Sequence, residues 1–305
     1  MEVIIVDGMS TDDTRQKIQS FSKTHPNLTI RIIDNEKRFI PHALNKGLKA
    51  SSGDFLIRMD AHSIPSKDYV ASCVHALQEG KGDNVGGRWD IQPSNNSYMA
   101  RAIAVAAAHP IGSGGANYRS GNKASLVDTV PFGAFTRETL NRNGFFNEKL
   151  LANEDYEWNA RLRAQDGKVW FDPAIRCQYF ARKSYRSLSK QYFNYGYWKV
   201  FMLQLYPGSI RLRQMVPPFF VLILLLSALL STLSVLLNWI FFPWLTGIIL
   251  SAYLVALILG TLLSSDDTPP IRLVPGIILA LATMHLSWGS GFWLSMIANK
   301  KARPN

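Results

Sequence analysis

Three short acidic stretches carry the residue types from which chemistry could be built. In VDGMSTDDT, residues 6–14, Asp7 closes an apolar strand and is followed by a glycine turn and hydroxyls before a helix. A carboxylate at the carboxyl end of a strand in a doubly wound sheet faces the ligand crevice, where a nucleotide base or ribose can sit. An ordinary turn with Ser10 or Thr11 as helix N-cap uses the same residues. In RMDAH, residues 58–62, Asp60 ends another apolar strand and His62 follows two residues later. Such a pair suits a hard divalent cation that bridges two phosphates and neutralises a departing nucleotide diphosphate. Asn153, Glu154 and Asp155 open a helix whose later residues include Trp158, Leu162, Arg161 and Arg163. Acids at a helix start complement its dipole, and a carboxylate beside the crevice also meets the need to deprotonate an acceptor hydroxyl.

These residues need a scaffold that brings strand ends together, and the apolar periodicity supplies one. Strands are predicted at 2–6, 28–33, 54–59, 85–91, 130–136, 168–171 and 175–180, and helices after residue 11 and at 41–51, 67–79, 97–109 and 155–164. Strand and helix alternate through the first part, which predicts a parallel α/β sheet. A Gly/Ser-rich stretch at 112–121 reads as a mobile loop. From Tyr185, apolar residues at three- and four-residue spacing among Arg182, Lys183, Arg186, Lys190 and Lys199 match an interfacial helix, and equally a helix packed on the soluble core.

Mean hydropathy is near zero because a mixed stretch up to Gln214 is averaged with an apolar one from Val216. Residues 216–239, 244–263 and 271–297 are each long and apolar enough to cross a bilayer of about 30 Å. Trp239 and Trp244 fit an aromatic belt. Lys199, Arg211 and Arg213 before the first stretch and Lys300, Lys301 and Arg303 after the last place both ends in the cytoplasm, which an odd number of crossings cannot do. Polar residues around His285 and Ser287 allow the third stretch to be broken or re-entrant, leaving two or three spans. The first residues enter an apolar strand without a charged leader, so the soluble part is expected to stay cytoplasmic, in a multi-pass protein of the inner or plasma membrane. The formal net charge of +11 suits anionic lipid or phosphate-bearing substrates, and we expect no nucleic acid partner. Cys73 and Cys177 stand far apart and form no disulfide or zinc pattern.

Four motifs, in order and spacing, resemble the family-two inverting glycosyltransferases of GT-A fold, especially those that build bacterial exopolysaccharides: VDGMSTDDT, PHALNKGLKASSGDFLIRMDAHS, GAFTRETL and NEDYEWNARLR. The resemblance runs from Glu2 to about Trp198. It implies a GT-A, Rossmann-like and mostly parallel domain over 1–183, an amphipathic segment over 184–214 and a membrane region over 215–305. It further implies that Asp7, with Ser10, Asn45 and Lys46, borders the nucleotide sugar, that Asp60 meets the phosphates and a divalent cation, Mg²⁺ or Mn²⁺, that Asp155 is the catalytic base and that Glu154 neighbours it in the acceptor site. His62 stands where an acid is usual, and neutral imidazole can ligate Mn²⁺. QYFNYGYW, residues 191–198, lacks the Arg and Trp of the QxxRW motif of polymerising relatives, which argues against processive synthesis. Enzymes of this kind begin with a strand and helix ahead of the VDGxS unit where this chain starts, so a central strand is expected to be missing.

The activity so implied is transfer of a sugar from a nucleotide diphosphate, such as a UDP-hexose, to a lipid-linked saccharide or polysaccharide by a single inverting displacement, with membrane lipids as surroundings. The alternatives are a polyprenyl-phosphate sugar synthase, which needs no base, an inactive membrane scaffold, which binds no nucleotide, and, less favoured by the few internal polar groups, a transporter.

Overall fold

In the computed structural model, residues 1–237, 241–263 and 270–298 are described. Trp239, Lys300, Lys301 and Arg303, which bear on the aromatic belt and on topology, lie outside these residues. By compactness the chain divides into one unit of residues 1–61, 65–87 and 123–176 and a second of residues 62–64, 88–122 and 177–305.

The first unit opens with strand β1 (Glu2–Asp7), helix α1 (Thr14–Thr24), strand β2 (Thr29–Asp34) and helix α2 (Ile40–Ala50). β1 and β2 are rich in β-branched residues and pair in parallel, in a register that aligns Asp7 with Asp34 at their carboxyl ends. They form a two-stranded sheet of their own. Pro41 lies in the first turn of α2, where its missing N–H costs nothing, and the helix packs on β1.

Strands β3 (Phe55–Ile57) and β4 (Ser63–Pro65), helix α3 (Tyr69–Gln78), strand β5 (Asn84–Gln92) and helix α4 (Tyr98–Ala108) follow. Short helices α5 (Pro110–Ser113) and α6 (Asn117–Ser120) lead to strands β6 (Ser125–Leu126) and β7 (Ala134–Thr136), helices α7 (Arg137–Asn143) and α8 (Glu154–Arg163), and strand β8 (Val169–Phe180). The larger sheet has the order β3-β7-β5-β8-β4, with β6 on β8. β7 runs antiparallel to both β3 and β5, so the larger sheet is mixed, whereas β1 and β2 pair in parallel. β7 lies between β3 and β5 and is entered from a segment in which Phe132 has a φ of +50°. The two short strands predicted at 168–171 and 175–180 are one continuous strand of 12 residues. Gly87 on β5 is required by close approach, since a Cβ there would stand 1.9 Å from the Ile175 carbonyl oxygen on β8. Leu56, Val85, Phe135, Leu140, Trp158, Leu162 and Phe171 are buried between sheet and helices.

In the second unit the stretch 112–121, expected as a loop, carries the end of α5 and the whole of α6. His109 caps α5 through Nδ1, which accepts from the Ile111 N–H at 3.2 Å. Gly114 and Gly115, with φ of +60° and +66°, turn the chain into α6. Helix α9 (Tyr185–Leu205) starts at a Ser184–Ser187 capping box. It packs on the last of three apolar helices, α10 (Leu212–Leu236), α11 (Phe241–Leu263) and α12 (Val274–Ala298), and buries Leu188, Tyr192 and Lys199. A Cβ on Gly196 would lie 2.0 Å from the Trp288 carbonyl oxygen, so the two helices meet backbone to backbone. α10, α11 and residues 271–298 are each long and apolar enough to cross a membrane. α12 is continuous through His285, Ser287 and Gly289, so the third stretch is not broken. The His285 ring is accommodated by hydrogen bonds with the Tyr253 hydroxyl at 2.9 Å and the Ile111 carbonyl at 3.1 Å.

Candidate active site

Parallel pairing of β1 and β2 brings Asp7 and Asp34 side by side, and α1 supplies the cation between them. Arg15 Nε donates to Asp7 Oδ2 at 2.7 Å, and its Nη2 is paired with Asp34. Ser10 donates to the same Asp7 carboxylate from its N–H at 3.0 Å and from Oγ at 2.5 Å, across a turn in which Met9 has φ of +61°. The Ser10 hydroxyl, against some opposition from burial, and then the Ser10 N–H and Arg15 hold the Asp7 carboxyl below its ordinary range. Lys46 on α2 donates to the Asp34 carbonyl at 2.7 Å and to Glu36 at 2.6 Å, so it stands at the same strand ends. Arg15 is a site residue that the motifs did not single out.

Asn45, expected beside the nucleotide, has its carboxamide fully engaged elsewhere. It accepts from the Phe146 N–H at 2.9 Å and donates to the Phe146 carbonyl at 2.9 Å and Glu148 Oε1 at 3.0 Å. These bonds tie α2 to the segment before α8.

The second group gathers around Arg58, just beyond β3. Its Nε donates to Asp60 Oδ1 at 3.1 Å and its Nη2 to Glu154 Oε1 at 3.0 Å. Arg58 and Glu154 are both buried, with side-chain exposures of 8% and 7%, and Asp60 retains 21%. Burial opposes the charge on Arg58, but Asp60, Glu154 and Asp155 together outweigh it and raise its pKa. Asp155 is brought here by the first turn of α8, after Asn153 in a left-handed conformation with φ of +64°. Burial, and then repulsion by Glu154, push the Asp155 carboxyl up to about 6, against the pull of Arg58 and of the Tyr156 N–H that it accepts at 2.7 Å. A small cavity lined by Arg58, Asp155, Trp158 and Phe146 opens beside it. A carboxylate poised in this range near neutral pH is suited to proton abstraction.

α8 is held rigidly. Trp158 Nε1 donates to the Gly144 carbonyl at 2.8 Å, Asn159 accepts from Asn84 at 2.6 Å, and Arg161 pairs with Glu157 at 3.2 Å. Arg58 was overlooked in the motif reading, although an arginine directly after the apolar run FLI is itself a sign of a buried ion pair. The His62 ring stands edge-on to the Tyr179 ring at a centroid distance of 5.0 Å. No cluster of three or more His, Cys, Asp or Glu able to hold a metal occurs among the described residues.

Residues 1–144 match the Glycosyl transferase family 2 model. The chain is 28% identical to "Dolichyl N-acetyl-alpha-D-glucosaminyl phosphate 3-beta-D-2,3-diacetamido-2,3-dideoxy-beta-D-glucuronosyltransferase" of Methanococcus voltae, over 94% of this chain and 85% of that one. It is 27% identical to the succinoglycan biosynthesis protein ExoA of Rhizobium meliloti, over 97% and 86% of the two chains. Among solved structures it is similar to S. aureus TarS, with 13% identity, a TM-score of 0.44 and coverage of 97% and 82%. The expected α/β domain of GT-A class with apolar helices after it agrees with this assignment, and the chain, with a family 2 glycosyl transferase domain over residues 1–144, is a glycosyltransferase.

Proposed function

We propose that this glycosyltransferase moves a sugar from a nucleotide diphosphate to a hydroxyl of a lipid-linked saccharide or polysaccharide by one inverting displacement. Asp7, Ser10, Arg15 and Lys46 border the nucleoside, and Asp60 faces the diphosphate. Asp155 takes the proton of the acceptor hydroxyl as its oxygen attacks the anomeric carbon, and the bond from that carbon to the diphosphate breaks with its electron pair leaving on the diphosphate oxygen. Glu154, held by Arg58 at 3.0 Å, repels charge on Asp155 and so raises the basicity that the step uses. The observation that carries this reading is the cluster of Asp60, Glu154 and Asp155 around the buried Arg58 guanidinium, with the Asp155 carboxyl pushed up.

A divalent cation, Mg²⁺ or Mn²⁺, fits the donor set. Such ions are commonly held by one or two carboxylates and completed by substrate phosphates, and Asp60 provides a partly exposed carboxylate of that kind. When bound, it supplies charge neutralisation on the leaving diphosphate. In the same reading α10, α11 and α12 are spans of a cell membrane, the catalytic domain, residues 1–183, is cytoplasmic, and residues 184–214 join the two.

The test is Asp155→Asn, assayed in membranes with a panel of UDP-hexoses and polyprenyl-linked saccharides. Loss of turnover with retained UDP binding is expected. Full activity in the variant would favour a polyprenyl-phosphate sugar synthase, whose acceptor phosphate needs no base, and absence of any nucleotide binding in the parent would favour a scaffold.

A further inference from the structure

The formal charge is divided unevenly. The first unit holds 19 basic and 19 acidic residues and is neutral, whereas the second holds 14 of the 33 basic residues and 3 of the 22 acidic ones and so carries the whole net charge of +11. Among its described residues Asp90 is the single acid. In this acid-poor unit Arg119, on α6, is buried to 7% exposure. Its Nη1 donates to the Ala107 carbonyl at 3.2 Å and to the Tyr192 hydroxyl at 3.0 Å, and the guanidinium stands over the rings of Trp89, at 5.7 Å, and Tyr118, at 5.6 Å. No carboxylate pairs with it among the described residues, and its buried Nε has no hydrogen-bond partner. Arg88 repeats the pattern: its Nη1 reaches the Gly121 carbonyl at 3.5 Å, two residues from Arg119, and its buried Nε also lacks a partner.

A buried guanidinium without an opposite charge is strongly disfavoured, because aromatic faces and neutral oxygens recover only part of the lost hydration. Arg58 in the first unit shows the usual solution, two carboxylates on one guanidinium. Among the described residues no carboxylate supplies the missing charge, and arginine forks match phosphate oxygens. We infer that Arg119, supported by Arg88, is the core of an anion site in the second unit that takes a phosphate group. The stretch 109–121 that carries Arg119 is docked on the apolar helices, through His109 Nε2 to the Gly260 carbonyl at 3.2 Å and His285 Nε2 to the Ile111 carbonyl at 3.1 Å. A phosphate attached to a lipid chain meets both chemistries there, and a free nucleotide or inorganic phosphate meets the first alone. The inference is independent of the role proposed for Asp155.

The experiment uses the full chain in phosphatidylcholine nanodiscs and reads tryptophan fluorescence, to which Trp89 contributes, together with melting temperature. Farnesyl phosphate is titrated in one arm, farnesol in a second, and inorganic phosphate and UDP in a third. Saturable binding of farnesyl phosphate, absent with farnesol and weakened at least tenfold in Arg119→Gln, is expected. Equal binding of inorganic phosphate would assign the site to free phosphate, and preference for farnesyl phosphate would assign it to a lipid headgroup. Should Arg119→Gln fail to fold, Arg88→Gln decides, with a several-fold loss expected. No saturable response to any phosphate, or unchanged affinity in the folded variant, would overturn the site.

Discussion

Arg58 and Arg119 are both buried arginines, yet the two units treat them in opposite ways. Arg58 sits in a charge-neutral unit and is enclosed by Asp60 and Glu154, with Asp155 close by. Arg119 sits in a unit that carries all of the net positive charge and, among the described residues, meets aromatic rings, a tyrosine hydroxyl and a carbonyl. An internally balanced guanidinium tunes its neighbours, whereas an unbalanced one is organised to receive a charge. The same side chain therefore accompanies the proposed proton-transfer site in one region and the proposed anion site in the other.

The largest effect expected on this contrast is chemical: Asp155→Asn lowers turnover by about 10²–10⁴-fold, the range for loss of a general base, while UDP binding measured by calorimetry stays unchanged. Next comes Arg58→Met, which leaves buried Glu154 without its partner and destabilises the first unit by about 3–5 kcal/mol in denaturant titration. The added change Glu154→Gln recovers part of that loss, and no recovery would show that the pair is not what Arg58 supports. In the second unit, Gly196→Val forces α9 away from α12 and costs about 1–3 kcal/mol, read as a lower melting temperature in detergent.

The pH dependence separates the roles of the carboxylates. Burial and repulsion by Glu154 hold the Asp155 carboxyl above the ordinary aspartate value of about 3.9 that it has when unfolded, so the folded state binds this proton more tightly. Stability from this group is therefore present at low pH and declines as pH rises from about 4 to about 6. Asp155→Asn is expected to melt higher than the parent above pH 6, with the difference vanishing below about pH 4, and activity of the parent should rise through pH 6. Asp7 has the opposite sign: its depressed value contributes stability above its unfolded pKa that is lost as pH falls. Ser10→Ala, which removes a hydroxyl donor to that carboxylate, is the smallest change, at about 1 kcal/mol, visible as an earlier acid transition.

Much of the scaffold was legible because it depends on local periodicity. The strand and helix around Asp7, the cap of α4 at Ser97, whose Oγ accepts from Ala100 at 3.2 Å, and the three apolar helices all follow from neighbours a few residues apart. The antiparallel course of β7 was not legible, since strand direction depends on how the chain returns after an irregular segment. The stretch 112–121 read as a loop from its glycines, yet His109, Pro110 and two left-handed glycines shape it into short helices.

At the site, the chain order alone placed Asp7, Asp60 and Asp155 at strand and helix ends, and composition alone determined that the excess positive charge follows the apolar helices. Tertiary structure decided which groups face one another: Arg58 and Glu154 are 96 residues apart, Asn45 and Phe146 are 101, and Arg119 and Tyr192 are 73. Backbone preference is set by each residue and its near neighbours, so sequence determines it directly. Ion pairing and burial depend on side chains that meet only when distant elements pack, which is why the partners of Arg58 and of Arg119 belong to the fold.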